Sequence, residues 1–134
     1  MTPRLEAIGI VVSDMAASLD FYRRLGVAVP EDTDADGHAM VELETGIRLM
    51  WDTRELIHGF DPSWTAPTGS PRVALAFALP DPAGVDRLYA ELAGLGFGHK
   101  EPWDAFWGQR YAMVRDPDGN GVDLFASLEG FRTQ

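Results

Sequence analysis

The 134-residue sequence predicts an α+β protein made of two related halves. Three observations predict it. Each half opens with a short apolar run of strand type. Each run is followed by a segment with helix caps and an apolar stripe. Each helix is followed by extended segments, the last two of which close as a hairpin.

The first run is IGIVV, Ile8–Val12. SDMAASLDFYRRLG (13–26) follows it. Ser13 or Asp14 can cap a helix there and Gly26 can end it, while Met15, Leu19, Tyr22 and Leu25 share one face. The second half opens with VALAFAL, Val73–Leu79, and continues with DPAGVDRLYAELAGLG. Asp81 can cap this helix, Pro82 suits its first turn, and Gly94 or Gly96 can end it. Val85, Leu88, Tyr89 and Leu92 form its apolar face. HAMVEL and GIRLMWD then read as strands around Glu44–Thr45–Gly46, and GQRYAMVR and GVDLFA as strands around DPDGN. In that last turn Pro117 fixes φ at the second position, and Asp118 and Gly119 tolerate the conformations that follow. Residues 53–71, rich in Pro and Gly, read as a linker that also covers part of the molecule. The organisation expected is one domain with module one over about 5–52, the linker 53–71, and module two over about 72–127.

Strand alternation divides the strand residues between two faces. Ile8, Ile10, Val12, Leu49, Val73, Leu75, Phe77, Val122 and Leu124 are expected beneath the helices as core. The other parity carries Ala7, Gly9, Val11, Arg48, Met50, Asp52, Arg72, Ala74, Ala76, Asp123 and Phe125. GIRLMW (46–51) and GVDLFA (121–126) align residue for residue, so Arg48 stands where Asp123 stands in the other half. A carboxylate in an apolar run is costly unless a metal, a cation or water pairs with it.

Composition removes several classes of function. Twenty-one acidic residues against eleven basic give a net charge of −10. Nucleic acid and anionic membranes need basic patches, so neither is an expected partner. No cysteine is present, which excludes disulfides, thiolate metal sites and thiol nucleophiles. MTPRLEAIGIVV lacks the basic flank and long apolar stretch of a signal peptide, and no run approaches the ~20 apolar residues of a membrane span. A soluble cytoplasmic protein is expected. Asp32, Asp34, Asp36 and Gly37 match half of a calcium loop. The bidentate acid should then fall at position 43, which is Leu43, so a solvated acidic loop is the expectation. DPDGNG (116–121) fails in the same way at Ser127. GLGFG (94–98) follows a helix rather than a strand and is a helix terminus, not a dinucleotide fingerprint.

VVSDMAASLDFYRRLG near the start and YAMVRDPDGNGVDLF near the end resemble the vicinal oxygen chelate superfamily. That superfamily comprises glyoxalase I, bleomycin-resistance proteins and extradiol dioxygenases. The resemblance runs from about Leu5 to Ser127. It implies two βαβββ modules, the glyoxalase/bleomycin-resistance fold, forming a curved mixed sheet around a cleft. It implies a homodimer as well. In metal-using members the ligands lie on the first and last strands of each module, which places them at Ala7, Arg48, Arg72 and Asp123 here. Alanine has no donor and arginine is a permanent cation. Only Asp123 could coordinate, so no metal and no cofactor is expected. Two arginines around Asp123 are expected in the metal's place, satisfying it through bidentate geometry. Such a cluster could bind a ligand or only tie the modules together.

Trp103, Phe106 and Trp107 lie in EPWDAFWGQ, read as outside the regular strands. They are either a core lid or a ligand-binding wall for flat or cationic molecules. Trp51 is expected in the core or an interface, and Trp64 as a packing residue. His38 could reach the cleft rim as an acid or base, but His38, His58 and His99 each read first as surface histidines. The ligand-binding set expected is Arg48, Met50, Arg72, Trp103, Trp107, Tyr111, Asp123 and Phe125. The function expected is metal-free binding of an aromatic or amphipathic small molecule, of the drug-sequestering type. The alternative is a lyase, isomerase or dioxygenase that uses a divalent metal or a metal-free acid/base site such as His38 or the Tyr111 hydroxyl. An interaction module is the third possibility.

Overall fold

The computed structural model describes residues 1–128. The chain divides into two compact units, one of Met1–Thr68 and one from Gly69 onward. The first contains β1 (Ala7–Val12), α1 (Met15–Arg24), β2 (His38–Glu42), β3 (Arg48–Thr53) and α2 (Arg54–Phe60). The second contains β4 (Ala74–Ala78), α3 (Pro82–Gly94), β5 (Gly98–Ala105), β6 (Gln109–Arg115) and β7 (Gly121–Ser127). Each unit holds one open mixed sheet, of order β1-β3-β2 in the first and β4-β7-β6-β5 in the second. In each, the opening strand runs parallel to the closing one. A parallel pair cannot close with a short turn, so a helix lies between the two strands in sequence. The second unit is a full β-α-β-β-β module. In the first, a short 3-10 turn at Glu31–Thr33 stands where a further strand would follow α1. Among the described residues, no helix is long and apolar enough to cross a membrane.

The helices start where their side chains can satisfy free N–H groups. Asp14 accepts from the Ala17 N–H at 3.1 Å. Asp81 accepts from the Gly84 N–H at 2.7 Å, with Pro82 in the first turn. Met15, Leu19 and Tyr22 of α1 are buried, together with Ile10, Val12, Leu49 and Trp51 of the strands. The Tyr22 and Trp51 rings lie 5.4 Å apart at their centroids, which makes Trp51 core. In the second unit Ala112, Val114, Val122 and Leu124 are fully buried, as are Val85 and Leu92 of α3.

Three expectations need correction. Val73 is 74% exposed, because β4 begins only at Ala74 and Val73 has no sheet partner to pack beside. Residues 53–71 are not all linker. Thr53 caps α2 by accepting from the Leu56 N–H at 3.2 Å, and Trp64 folds back onto that helix. The Trp64 carbonyl bonds His58 Nε2 at 2.8 Å and the Trp64 ring lies 5.8 Å from the Arg54 guanidinium. The acidic loop after α1 is also pinned. Arg23 grips both oxygens of Asp34 at 2.7 and 3.2 Å and donates to the carbonyls of Val29 and Pro30. Hydrogen bonding between the two holds the Asp34 carboxyl below its ordinary range and the Arg23 guanidinium above its own.

The hairpin joining β6 to β7 is organised by one side chain. Asp116 is 3% exposed. Its Oδ1 accepts from the N–H groups of Asp118 and Asn120, each at 2.9 Å, and its Oδ2 accepts from Asn120 Nδ2 at 2.9 Å. Gly119 turns the chain at φ +86°, a conformation other residues rarely adopt. This turn sets the register that pairs Arg115 with Gly121 and Met113 with Asp123.

Two substitutions separate satisfied from unsatisfied buried polar groups. Asp116→Ala leaves three donors without this acceptor, and urea denaturation should show a loss of about 2 kcal/mol. Ser18 is fully buried in α1, and its hydroxyl has no partner among the described residues. Ser18→Ala should therefore stabilise the protein by about 1 kcal/mol in the same assay. Equal destabilisation by both changes would contradict this assignment.

Candidate functional site

The second sheet has one face under α3 and one face open. Period-two alternation along β7 sends Val122 and Leu124 to the α3 side and Asp123 and Phe125 to the other. Register then extends two rows across the open face. One row runs from Ala78 through Phe125 and Tyr111 to Trp103, and the next from Ala76 through Asp123 and Met113 to Lys100. On β4 the residues of this face, Ala74, Ala76 and Ala78, are small and exposed. They leave room beside Asp123 and Phe125.

The first row is an aromatic ladder. Tyr111 stacks on Phe125 with centroids 6.1 Å apart and planes 20° apart. Trp103 meets Tyr111 edge-on at 5.5 Å, and Trp107, from the turn between β5 and β6, meets Tyr111 at 5.3 Å and Trp103 at 6.1 Å. Such edge-to-face pairs each add about 1 kcal/mol beyond burial, so the rings hold one another rigidly. Phe106 extends the ladder against Trp107 at 5.0 Å and is 93% exposed. Lys100 Nζ lies 4.5 Å from the Trp103 ring. Trp107 is anchored by its Nε1, which donates to Gln109 Oε1 at 2.8 Å.

Asp123 sits beside this ladder, 8% exposed. Its Oδ2 accepts from the Tyr111 hydroxyl at 2.6 Å. Its Oδ1 is buried without a hydrogen-bond partner among the described residues. The expected guanidinium partner is therefore replaced by a phenol within this unit. Tyr111 is the diagonal neighbour of Asp123 on the same face, close enough for its hydroxyl to reach. Arg72 precedes β4, is exposed, and makes no ion pair with Asp123. Asp123's register partner on the opening strand is Ala76, not Arg72. Burial first, and then the bond to Asp123, raises the Tyr111 phenol well above its ordinary value of 10.0. Trp103, read from sequence as outside the strands, lies inside β5. Irregular pairing between Gly98 and Trp103 hides the alternation there.

Of the remaining expected residues, Arg48 and Met50 lie on β3 in the first unit, Arg48 exposed and Met50 half-buried. Arg48 pairs in register with Ala7. In the first unit the pair Ala7 and Arg48 offers a methyl group and a permanent cation, and in the second the pair Ala76 and Asp123 offers a methyl group and one carboxylate, so neither pair by itself fits a divalent metal. Among the described residues, no three His, Asp or Glu side chains are grouped to hold a metal ion. His58 and His99 are surface histidines, and His99 Nε2 lies 3.0 Å from Arg115 Nη2. Sequence reading missed Lys100 and the Tyr111–Asp123 bond, because both depend on cross-strand register.

This fold matches known proteins along nearly the whole chain. A family model, the Glyoxalase/Bleomycin resistance protein/Dioxygenase superfamily, matches residues 4–124. The chain belongs to that superfamily. A glyoxalase/bleomycin resistance protein/dioxygenase from Nocardioides is 26% identical, with a TM-score of 0.75 over 100% of this chain and 89% of that one. A family enzyme from Burkholderia phytofirmans PsJN is 18% identical, with a TM-score of 0.79 over 94% of this chain and 100% of that one. A protein of unknown function from Agrobacterium tumefaciens str. C58 is 26% identical, with a TM-score of 0.71 over 96% and 97%. No curated protein matches the sequence.

The raised Tyr111 phenol has a defined consequence for pH. An unfolded chain ionises this tyrosine near its ordinary value, while the folded chain keeps it neutral to higher pH. The stabilisation is present in full below the ordinary value and is lost as pH climbs from there toward the folded value. Ultraviolet titration of the parent against Tyr111→Phe should therefore show the Tyr111 phenol resisting ionisation until the protein unfolds. Tyr111→Phe should remove that late step and cost about 1–3 kcal/mol, because Oδ2 loses its donor. A parent and a Tyr111→Phe variant that differ by a phenol ionising in the ordinary range would contradict it.

Proposed function

We propose that the protein binds an aromatic or amphipathic small molecule on the open face of the second sheet, without a divalent metal. The observation that carries this reading is the partly exposed aromatic ladder beside a buried carboxylate oxygen that lacks a donor among the described residues. Rings of a ligand stack on Trp103, Trp107 and Phe125. A donor on the ligand meets Asp123 Oδ1 and removes the penalty of leaving that oxygen unsatisfied. Aromatic walls with a few placed polar groups are the usual chemistry of small-molecule sites. Arg72, which precedes β4 in the same unit, belongs to the proposed ligand-binding set as well. A homodimer in the cytoplasm, sequestering its ligand, is the proposed working form.

The probe is proflavine, a flat aromatic cation, read by the anisotropy of its own fluorescence. Saturable binding at one site per chain is expected. Trp107→Ala, a change at a residue 46% exposed, should weaken it about tenfold while leaving the fold intact. Asp123→Asn should weaken proflavine more than acridone, its flat neutral counterpart. Binding unchanged in both variants would sink this reading.

A further inference from the structure

The first sheet carries a polar pair of its own, apart from the aromatic ladder of the second. We infer that His38 and Asp52 form a proton-accepting dyad there, acting on an acidic C–H of a small, flat, largely apolar molecule. His38 on β2 and Asp52 on β3 are register partners, so their side chains share a face. His38 Nδ1 lies 2.5 Å from Asp52 Oδ1. An ionised carboxylate only accepts, so in the neutral ring Nδ1 carries the proton and Nε2 presents its lone pair. Nε2 has no partner among the described residues.

Exposure is divided as such a dyad requires. The Asp52 side chain is 18% exposed and the His38 side chain 48%. The orienting acid is sheltered on the central strand and the base is open to an incoming molecule. The next row on this face is Gly9, Met50 and Met40, with Met40 45% exposed. A Cβ at Gly9 would meet nothing nearer than Met50 Cε at 4.0 Å, so there is space above β1. A flat apolar body can lie on the two thioethers with its acidic C–H at Nε2. The other charged groups of this face are Arg48 and Glu42, one row beyond the methionines. From α2, which packs on β1 and β3, the titratable and charged groups are Arg54, Glu55 and His58.

In the step itself Nε2 takes the proton as the C–H bond breaks, and the imidazolium passes it to water. Asp52 is a positioning residue: it fixes the tautomer and does not touch the reacting atom.

Nitrobenzisoxazole is a fitting probe, since its reaction needs only a base. The C–H electron pair becomes the third C–N bond, the N–O bond breaks, and the oxygen leaves as a coloured phenolate. The unmodified protein should exceed an equal concentration of free imidazole by about a hundredfold. His38→Gln should fall to background. Asp52→Asn should lose about tenfold and mix the two tautomers, read by NMR of the ring nitrogens. The same NMR on the unmodified protein should show the proton on Nδ1, so the geometry is tested even if a variant unfolds. A proton on Nε2 in the unmodified protein, a rate no greater than free imidazole, or a His38→Gln variant as fast as the parent would each overturn the inference.

Discussion

The second unit depends on one constraint, the two-faced alternation of β7. This strand is paired on both sides, with β4 and with β6, and most of its residues are buried. Val122 and Leu124 give α3 its apolar seat, while Asp123 and Phe125 face the other way. A slip of one residue would put a carboxylate under the helix and two aliphatic side chains on the open face. The buried Asp116 turn prevents that slip by fixing where β6 ends and β7 begins.

An acid on the interior strand of a sheet has to be satisfied locally. Here half of the requirement is met by the Tyr111 hydroxyl, and half is left open at Oδ1 among the described residues. The phenol can serve because it is itself held between Phe125, Trp103 and Trp107. The aromatic ladder and the carboxylate are thus one construction: the rings position the donor, and the donor lets the carboxylate stay buried. A neutral donor leaves more of the charge available to a ligand than a bidentate guanidinium would.

The first unit solves a related problem with different residues. Its central strand also alternates, with Leu49 and Trp51 inward and Arg48, Met50 and Asp52 outward. Asp52 occurs at the sheltered end of that face and takes its partner from the neighbouring strand, as Asp123 does. In one unit the partner is a phenol that keeps its proton, and in the other an imidazole whose second nitrogen remains accessible.

Much of this was legible in the chain alone. Strand parity identified Leu49, Val122 and Leu124 as core and Asp123 and Phe125 as their opposites, because period two is a local property. Asp14, Asp81, Pro82 and the DPDGN turn announced their elements for the same reason: caps and turns satisfy backbone groups within a few residues. The partner of Asp123 was not legible. An arginine pair was expected from the ligand positions that the family resemblance implies, but cross-strand register put the Tyr111 hydroxyl within reach. The neighbour of Asp123 on β4 is Ala76 and not Arg72, which only the pairing of two strands far apart in sequence could decide. Trp103 was hidden by irregular pairing in β5, and α2 by a Pro- and Gly-rich context whose helix is fastened by Thr53 and Trp64. The sequence by itself determined the α+β class, the repeat and the sidedness of each strand. Tertiary structure alone decided which polar groups meet, because hydrogen bonds between strands depend on register to within one residue and no local pattern carries that information.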